Sequence, residues 1–268
     1  MKYFVFSDVH GYYSLLKNEL DKKGFDINNK NHMLISIGDN FDRGPENYQM
    51  YEFLVEMKKL NKIILVKGNH EDLFLRMLYQ RKASYVDITN GTYDTLIQFT
   101  KKYSNTDPED QFYMYPDDVY LRFKEEGIID FFYDMLDFYE TDKYIFTHGY
   151  IPINIEDNTY KKDWRLSTKD EFYSSRWLNG MEMSMNYNIG EKNKKIVVGH
   201  YHTSYGNIRK KYPNKSYKEY KKLEFSDVDD FGIYEDNNIY AIDACTHYTK
   251  RINILVLEDW KYLSQKHT

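Results

Sequence analysis

Gly38-Asp39-Asn40-Phe41-Asp42-Arg43-Gly44 follows directly on the apolar run 33–37, and the rest of the chain can be ordered around it. A strand that ends on Gly-Asp, with a second Asp and an Arg close behind, crowds two carboxylates and a guanidinium into one short loop. Such a concentration of charge is costly without a ligand. A metal ion would take the first carboxylate, and a phosphate would take the Arg in a bidentate grip.

The same construction recurs along the chain. Run 3–6 leads to Ser7-Asp8-Val9-His10-Gly11, and run 63–66 leads to Lys67-Gly68-Asn69-His70-Glu71. Run 144–146 leads to Thr147-His148-Gly149, and run 196–198 to Gly199-His200-Tyr201-His202-Thr203. Five strand-like segments therefore stop on Asp, His or Asn, side chains that bind divalent metals. A single His is usually packed or solvated, and a single Asp after a strand often caps a helix. Five together point to one site, because ligands in α/β sheets collect where strands end at their carboxyl side.

Helical periodicity fills the intervals. Leu15, Leu16 and Leu20 share a face over 12–22, and Met50, Tyr51, Leu54, Val55 and Met57 do so over 48–60. Segments 71–80, 93–102 and 117–136 read as further helices, the last broken at Gly127. Runs 239–242 and 252–257 read as two late strands whose link, 245–251, is short enough for a hairpin, which suggests a mixed sheet or a second one. The fold class is α/β, and 268 residues suit a single domain, 1–268. Block 73–140 carries no ligand-like cluster and reads as a helical cap; 154–193 and 205–238 read as polar insertions.

Composition narrows the function. Cys245 is the only cysteine, so neither an internal disulfide nor a cysteine-type zinc site is available. A strand pattern begins at Lys2, leaving no room for a signal peptide before Asp8, and no apolar run approaches the roughly 18 residues that span a bilayer. A cytoplasmic protein without membrane contact is expected. The formal charge of −5 argues against a broad footprint for nucleic acid. The local exception is 209–222, where Arg209, Lys210, Lys211, Lys215, Lys218, Lys221 and Lys222 face Glu219 alone, a net of +6. The acidic run Glu224, Asp227, Asp229 and Asp230 follows, so a solvated loop with mutually attracting halves is expected.

Two divalent cations roughly 3.5 to 4 Å apart need a shared carboxylate and several further ligands, and together they generate hydroxide near neutral pH. Asp8 and His10 leave one strand together, Asp39 is the natural bridge, Asn69 offers a carbonyl, and His148, His200 and His202 offer imidazoles.

Asp8-Val-His10-Gly, Gly-Asp39-Asn-Phe-Asp42-Arg43-Gly, Gly-Asn69-His70-Glu71, His148-Gly and Gly-His200 together resemble the motif series of calcineurin-like metallophosphoesterases. More narrowly they are similar to the phosphoprotein phosphatases of bacterial and phage type. The likeness reaches Asn90-Gly-Thr-Tyr-Asp-Thr-Leu and Ile242-Asp243. It implies two packed mixed β-sheets flanked by helices, with a helical insertion and with metals at the strand ends. It implies Asp8, His10 and Asp39 on one metal, and Asp39, Asn69, His148 and His200 on the other. His70 would protonate the leaving oxygen, Asp42 would orient it, and Arg43 and Asn69 would meet the phosphate.

Three departures bear on those roles. Lys67 stands where many relatives have an Arg, and an ammonium cannot clamp a phosphate bidentately. Arg176 in Ser-Ser-Arg-Trp is then the expected second phosphate ligand, with Arg165 as competitor. Gly-His200-Tyr-His202 matches the wider superfamily, which makes His202 an additional expected ligand. Asp243-Ala-Cys-Thr-His-Tyr-Thr replaces a glycine-rich turn, so His247 or Tyr248 is a candidate neighbour of the site. The implied activity is a metal-dependent phosphomonoesterase acting on phosphoserine or phosphothreonine proteins, with symmetrical dinucleoside polyphosphate hydrolysis as the alternative. Two cations are expected, manganese first, with iron, zinc or nickel compatible with the same donors.

Overall fold

The computed structural model describes residues 1–259. The first half alternates strand and helix: β1 (Lys2–Phe6), α1 (Tyr13–Lys22), β2 (His32–Ser36), α2 (Asn47–Lys59), β3 (Ile63–Leu65) and α3 (Asn69–Gln80). β1, β2 and β3 run parallel, with Lys2 opposite His32 and Leu34 opposite Ile63. Strands covered on both faces read as continuous apolar runs, and β1 shows why. Tyr3 and Val5 face one way, toward Phe146, Val197 and Ile242, while Phe4 and Phe6 face helices on the other.

The block expected to be a cap is helical throughout: α4 (Tyr85–Thr89), α5 (Thr92–Tyr103), α6 (Pro108–Met114), α7 (Pro116–Glu125) and α8 (Ile128–Tyr133). Gly127, at φ 71°, separates the last two, as its place in the sequence suggested. The aromatic richness of the chain is concentrated here. Phe74, Phe99, Phe123 and Phe132 form one buried cluster, and Phe41 from the 38–44 loop joins it, 4.9 Å from Phe132 and 6.0 Å from Phe99 between ring centroids. The block thus anchors the loop rather than merely covering it.

The second half contributes β4 (Tyr139–Glu140), β5 (Tyr144–Phe146), the small ribbon β6 (Ile153–Asn154) and β7 (Thr159–Tyr160), α9 (Lys169–Ser175), α10 (Gly180–Tyr187) and β8 (Lys195–Val198). α11 (Ser204–Lys211), α12 (Tyr217–Leu223), β9 (Tyr234–Asp236), β10 (Ile239–Ala241), α13 (Thr246–Thr249) and β11 (Leu255–Glu258) complete it. The strand orders are β11-β1-β2-β3 and β4-β5-β8-β10-β9. Each sheet has a parallel core, with one antiparallel edge strand in the first (β11) and two in the second (β4 and β9), so both are mixed.

One expectation fails here. β10 and β11 do not form a hairpin: β10 pairs with β8 and β9, whereas β11 crosses to pair with β1. The short link holds the one-turn α13 and stitches the sheets together. Their facing residues form a shared core, including Ile35 and Ile64 from one sheet and Phe146, Val197 and Ile242 from the other. Parallel strands β1, β2 and β3 therefore end beside parallel strands β5, β8 and β10. Among the described residues no helix is long and apolar enough to cross a membrane.

Candidate metal centre

At three of those strand ends, after β1, β2 and β8, the backbone turns sharply. Asp8, His10, Asp39, Asp42, Arg43 and His200 all adopt left-handed φ values, between 49° and 75°. Such values are uncommon outside glycine and cost about 1–3 kcal/mol each, so their concentration marks a place where packing holds side chains in set directions. Two glycines let the turns meet. A Cβ on Gly38 (φ 98°) would lie 2.5 Å from Gly68 Cα and 2.8 Å from His148 Nδ1. One on Gly199 would lie 2.3 Å from Asp8 Oδ2, so the second sheet approaches the β1 exit only without it.

Asp39 lies between two groups of donors. His10, Asp39 and His70 form one, and Asp39, His148 and His200 the other, each with its ligand atoms within 4.8 Å of one another. Asp39 Oδ2 faces His10 Nε2 at 3.9 Å and His70 Nε2 at 3.8 Å, while Oδ1 faces His148 Nε2 at 3.2 Å. Asn69 Oδ1 is 2.9 Å from the same His148 nitrogen. Asp8 is buried beside them and accepts the His200 N–H at 3.0 Å.

The donor chemistry suits divalent cations. His10 Nδ1 lies 2.8 Å from the Phe41 carbonyl and His148 Nδ1 2.8 Å from the Ile37 carbonyl. A carbonyl can only accept, so each Nδ1 carries the proton and each Nε2 is turned to Asp39, the arrangement seen in metal-ligating histidines. A cation already stands against one of them: the Arg43 guanidinium lies 3.0 Å from His10 Nε2 and 3.1 Å from His70 Nε2.

Electrostatics point the same way. Burial and the nearby Asp243 carboxyl push Asp8 well above the usual carboxylate range, and burial lifts Asp243 to about 6. Burial would raise Asp39 too, but the imidazoles of His148 and His70 hold it well below its ordinary value. Burial works against the His148 proton, yet Asp39 drives its pKa up to about 10. Burial lowers His10 well below its ordinary value and takes His200 to about 3. Three buried carboxyls and the two imidazoles that burial keeps neutral, His10 and His200, lie around one point, a donor set compatible with a divalent cation.

His70 is held separately. Its Nδ1 lies 2.6 Å from Asp42 Oδ2, and Asp42 also accepts from Thr92 Oγ1 at 2.7 Å and Thr95 Oγ1 at 2.6 Å. Although burial disfavours the imidazolium, Asp39 and Asp42 raise the His70 pKa. Thr92 and Thr95 come from α5, and a Cβ on Gly91 would meet the Arg43 backbone nitrogen at 2.5 Å. The 73–140 block therefore does contribute to the site, through Asn90-Gly-Thr-Tyr-Asp-Thr rather than through ligand-type residues.

Sequence reasoning gave Glu71 no role, although it ends the Gly-Asn-His-Glu motif. Fully buried, it accepts from the backbone N–H groups of Gly68 (2.8 Å), Asp39 (3.0 Å) and Asn40 (2.9 Å) and from Asn40 Nδ2 (3.0 Å). One carboxylate thus joins the β2 and β3 exits. Glu71→Gln puts an amide N–H against these donors, and we expect a loss of about 1–3 kcal/mol in stability by urea denaturation. Manganese affinity by calorimetry should fall about 10- to 100-fold, as for other residues that orient ligands. Asp243 was likewise assigned no role beyond the resemblance, because its Asp-Ala-Cys context lacks a metal-ligand pattern.

Other expected residues lie elsewhere. His202 is not part of either donor group: Nδ1 is 2.8 Å from Ser204 Oγ and Nε2 is 3.7 Å from the buried Glu224. Its ring packs on Phe225 and Phe231, where the chain turns toward α11, which begins at Ser204. His202, expected as an additional ligand, thus stands apart from the two donor groups. Arg176 is buried against Asp137 (2.6 Å) and Asp72 (3.3 Å), the two carboxylates that also act on Lys67. Arg165 is committed to Glu140 and Glu191. His247 is exposed, 3.2 Å from Tyr12 Oη, and Tyr248 packs on Phe225 and Phe231.

Residues 1–239 match the calcineurin-like phosphoesterase family. Serine/threonine-protein phosphatase 2 of Escherichia coli is 40% identical over 74 residues, 27% of this chain and 30% of that one. The symmetrical bis(5'-nucleosyl)-tetraphosphatase of Wigglesworthia glossinidia brevipalpis is 33% identical over 81 residues, 30% of this chain and 28% of that one. Each alignment thus spans under a third of its relative. A solved serine/threonine phosphatase from Saccharomyces cerevisiae superposes on 99% of this chain and 82% of its own, at a TM-score of 0.49 and 13% identity.

Proposed function

The chain belongs to the calcineurin-like phosphoesterase family, and we propose that it is a phosphomonoesterase that removes phosphate from phosphoserine and phosphothreonine side chains of proteins. The observation that carries this reading is Asp39 shared by two donor groups, with the Asp42–His70 pair and Arg43 against the same groups. Two divalent cations, manganese first, would supply activated water and neutralise the phosphoryl oxygens when bound.

Asp8, His10 and Asp39 would hold one cation, and Asp39, Asn69, His148 and His200 the other. Arg43 orients the phosphate through two parallel N–H donors, which its planar fork allows. The leaving serine or threonine oxygen needs a proton, and His70 gives it from Nε2. Asp42 fixes the ring through Nδ1 and stabilises the imidazolium before transfer, and Thr92 and Thr95 fix Asp42. Arg176, tied to Asp72 and Asp137, plays the smaller part in phosphate binding.

The relatives support a second reading, hydrolysis of a dinucleoside polyphosphate, since several carry that name at 27–37% identity. A panel of a phosphoserine peptide, an aryl phosphate and diadenosine tetraphosphate, assayed with manganese, separates the two. Higher kcat/KM on the peptide is expected; a clear preference for diadenosine tetraphosphate would reverse the assignment.

A further inference from the structure

The basic run 209–222 does not stay a solvated loop. It folds as α11 and α12, and its attraction to the acidic run that follows is realised in Arg209–Glu224 (2.7 Å), Lys221–Glu224 (2.8 Å) and Lys211–Asp230 (3.1 Å). Between this hairpin and α10 lies a cavity of about 630 Å³ lined by Tyr201, Tyr205, Tyr217, Tyr220, Arg209 and Lys221. Tyr201, which lines it, directly follows His200 in the chain.

Its wall is positive. The Arg209 guanidinium stacks 3.4 Å from the Tyr205 ring centre and 4.5 Å from that of Tyr220. Lys221 donates to Tyr201 Oη at 3.2 Å. Buried Glu224 is one carboxylate shared by two cations, and His202 sits beside it at 3.7 Å. Glu182 is the only carboxylate lining the cavity among the described residues. Lys215 has just an exposed pair with Glu219, worth little, and Lys218 and Lys222 form no ion pair among the described residues.

The occupant this groove fits is anionic and peptide-like. A nucleic acid would need a long basic track, whereas Asp227, Asp229 and Asp230 bound the positive patch and the whole chain carries −5. Base stacking needs several free ring faces, but Arg209 covers Tyr205 and Tyr220, and His202 stacks on Tyr201, which leaves the exposed Tyr217 alone. The groove offers the Lys215 ammonium and phenol hydroxyls beside it, donors for carboxylates. We propose that the α11–α12 groove docks an acidic stretch of the phosphoprotein substrate beside the phosphorylated residue. This rests on the phosphoprotein reading of the metal centre.

The test is charge reversal of Lys215, which lines the groove, together with the neighbouring exposed Lys218 and Lys222, all outside the catalytic machinery, K215E/K218E/K222E, in the full chain. A fluorescein-labelled, unphosphorylated Asp/Glu-rich peptide should bind the wild type by anisotropy and bind the variant about tenfold more weakly. In turnover, the wild type should favour a phosphoserine peptide with acidic flanks over one with alanine flanks, through KM. The variant should lose that preference while hydrolysing p-nitrophenyl phosphate as before. Equal peptide affinity in both proteins, or displacement of the peptide by a lower concentration of a single-stranded oligonucleotide, would overturn the proposal. Cleavage of p-nitrophenyl phosphate but of neither peptide would remove the phosphoprotein reading instead, and anisotropy would then decide the groove alone.

Discussion

Asp39→Asn is expected to reduce bound metal from two ions per chain to at most one and to lower turnover by more than about 10³-fold, equivalent to about 4 kcal/mol of transition-state stabilisation. The size follows from the position. One carboxylate oxygen faces His10 and His70 and the other faces His148, so both donor groups need it at once. An amide keeps one oxygen and turns an NH2 toward the other group, removing both a ligand and a negative charge. In chelator-treated protein the same residue forms an ion pair with His148. Raised to about 10 from an ordinary 6.5, His148 adds stability that is complete below 6.5 and lost as the pH rises through about 10. The variant should lack that increment, which denaturation at pH 6 and pH 10.5 would register. Metal analysis by mass spectrometry checks the first part, and an unchanged content of two ions would refute the bridging assignment.

His70→Asn separates acid catalysis from metal binding. The variant should keep both ions and lose about 10²–10⁴ in kcat on alkyl phosphates such as phosphoserine peptides, the usual worth of a positioned acid. On p-nitrophenyl phosphate, whose leaving group departs without a proton, the loss should be much smaller. The pH profile adds a sign. Burial opposes the His70 proton, but Asp39 and Asp42 raise its pKa, so the wild-type rate on poor leaving groups should persist above the ordinary histidine value and fall as the pH rises through the raised one. The variant should lack that alkaline limb. Loss of metal from His70→Asn would make His70 a ligand, as a member of the His10–Asp39 group, and would contradict the acid role.

The strand ends were readable because buried parallel strands must be apolar and their exits must turn, so a polar cluster after each run marks both boundary and site. β1, β2, β3, β5 and β8 all end where residues 8, 39, 69, 148 and 200 were singled out. The late strands were harder. β10 and β11 look like hairpin partners because the link is short, yet the choice between one sheet and two depends on which neighbour's face is left uncovered, and that is a tertiary matter.

His202 misled for a related reason. Spacing of two puts residues near each other, but direction depends on the next element, and the turn into α11 carries His202 to Glu224. Asp42 shows the reverse case. Its partner His70 was predictable from motif order, whereas Thr92 and Thr95 carry no ligand-like signature and reach it only because α5 packs against the 38–44 loop. The loop that organised the reading is thus held from three sides: Glu71 on its backbone, Phe41 in the aromatic cluster, and the two threonines on Asp42.

A titration of manganese into metal-stripped protein, followed by phosphate release from a phosphoserine peptide, tests the dinuclear phosphatase most directly. Turnover should rise to a plateau that breaks at two equivalents per chain. A break at one equivalent, or phosphate release that does not respond to manganese, would contradict it.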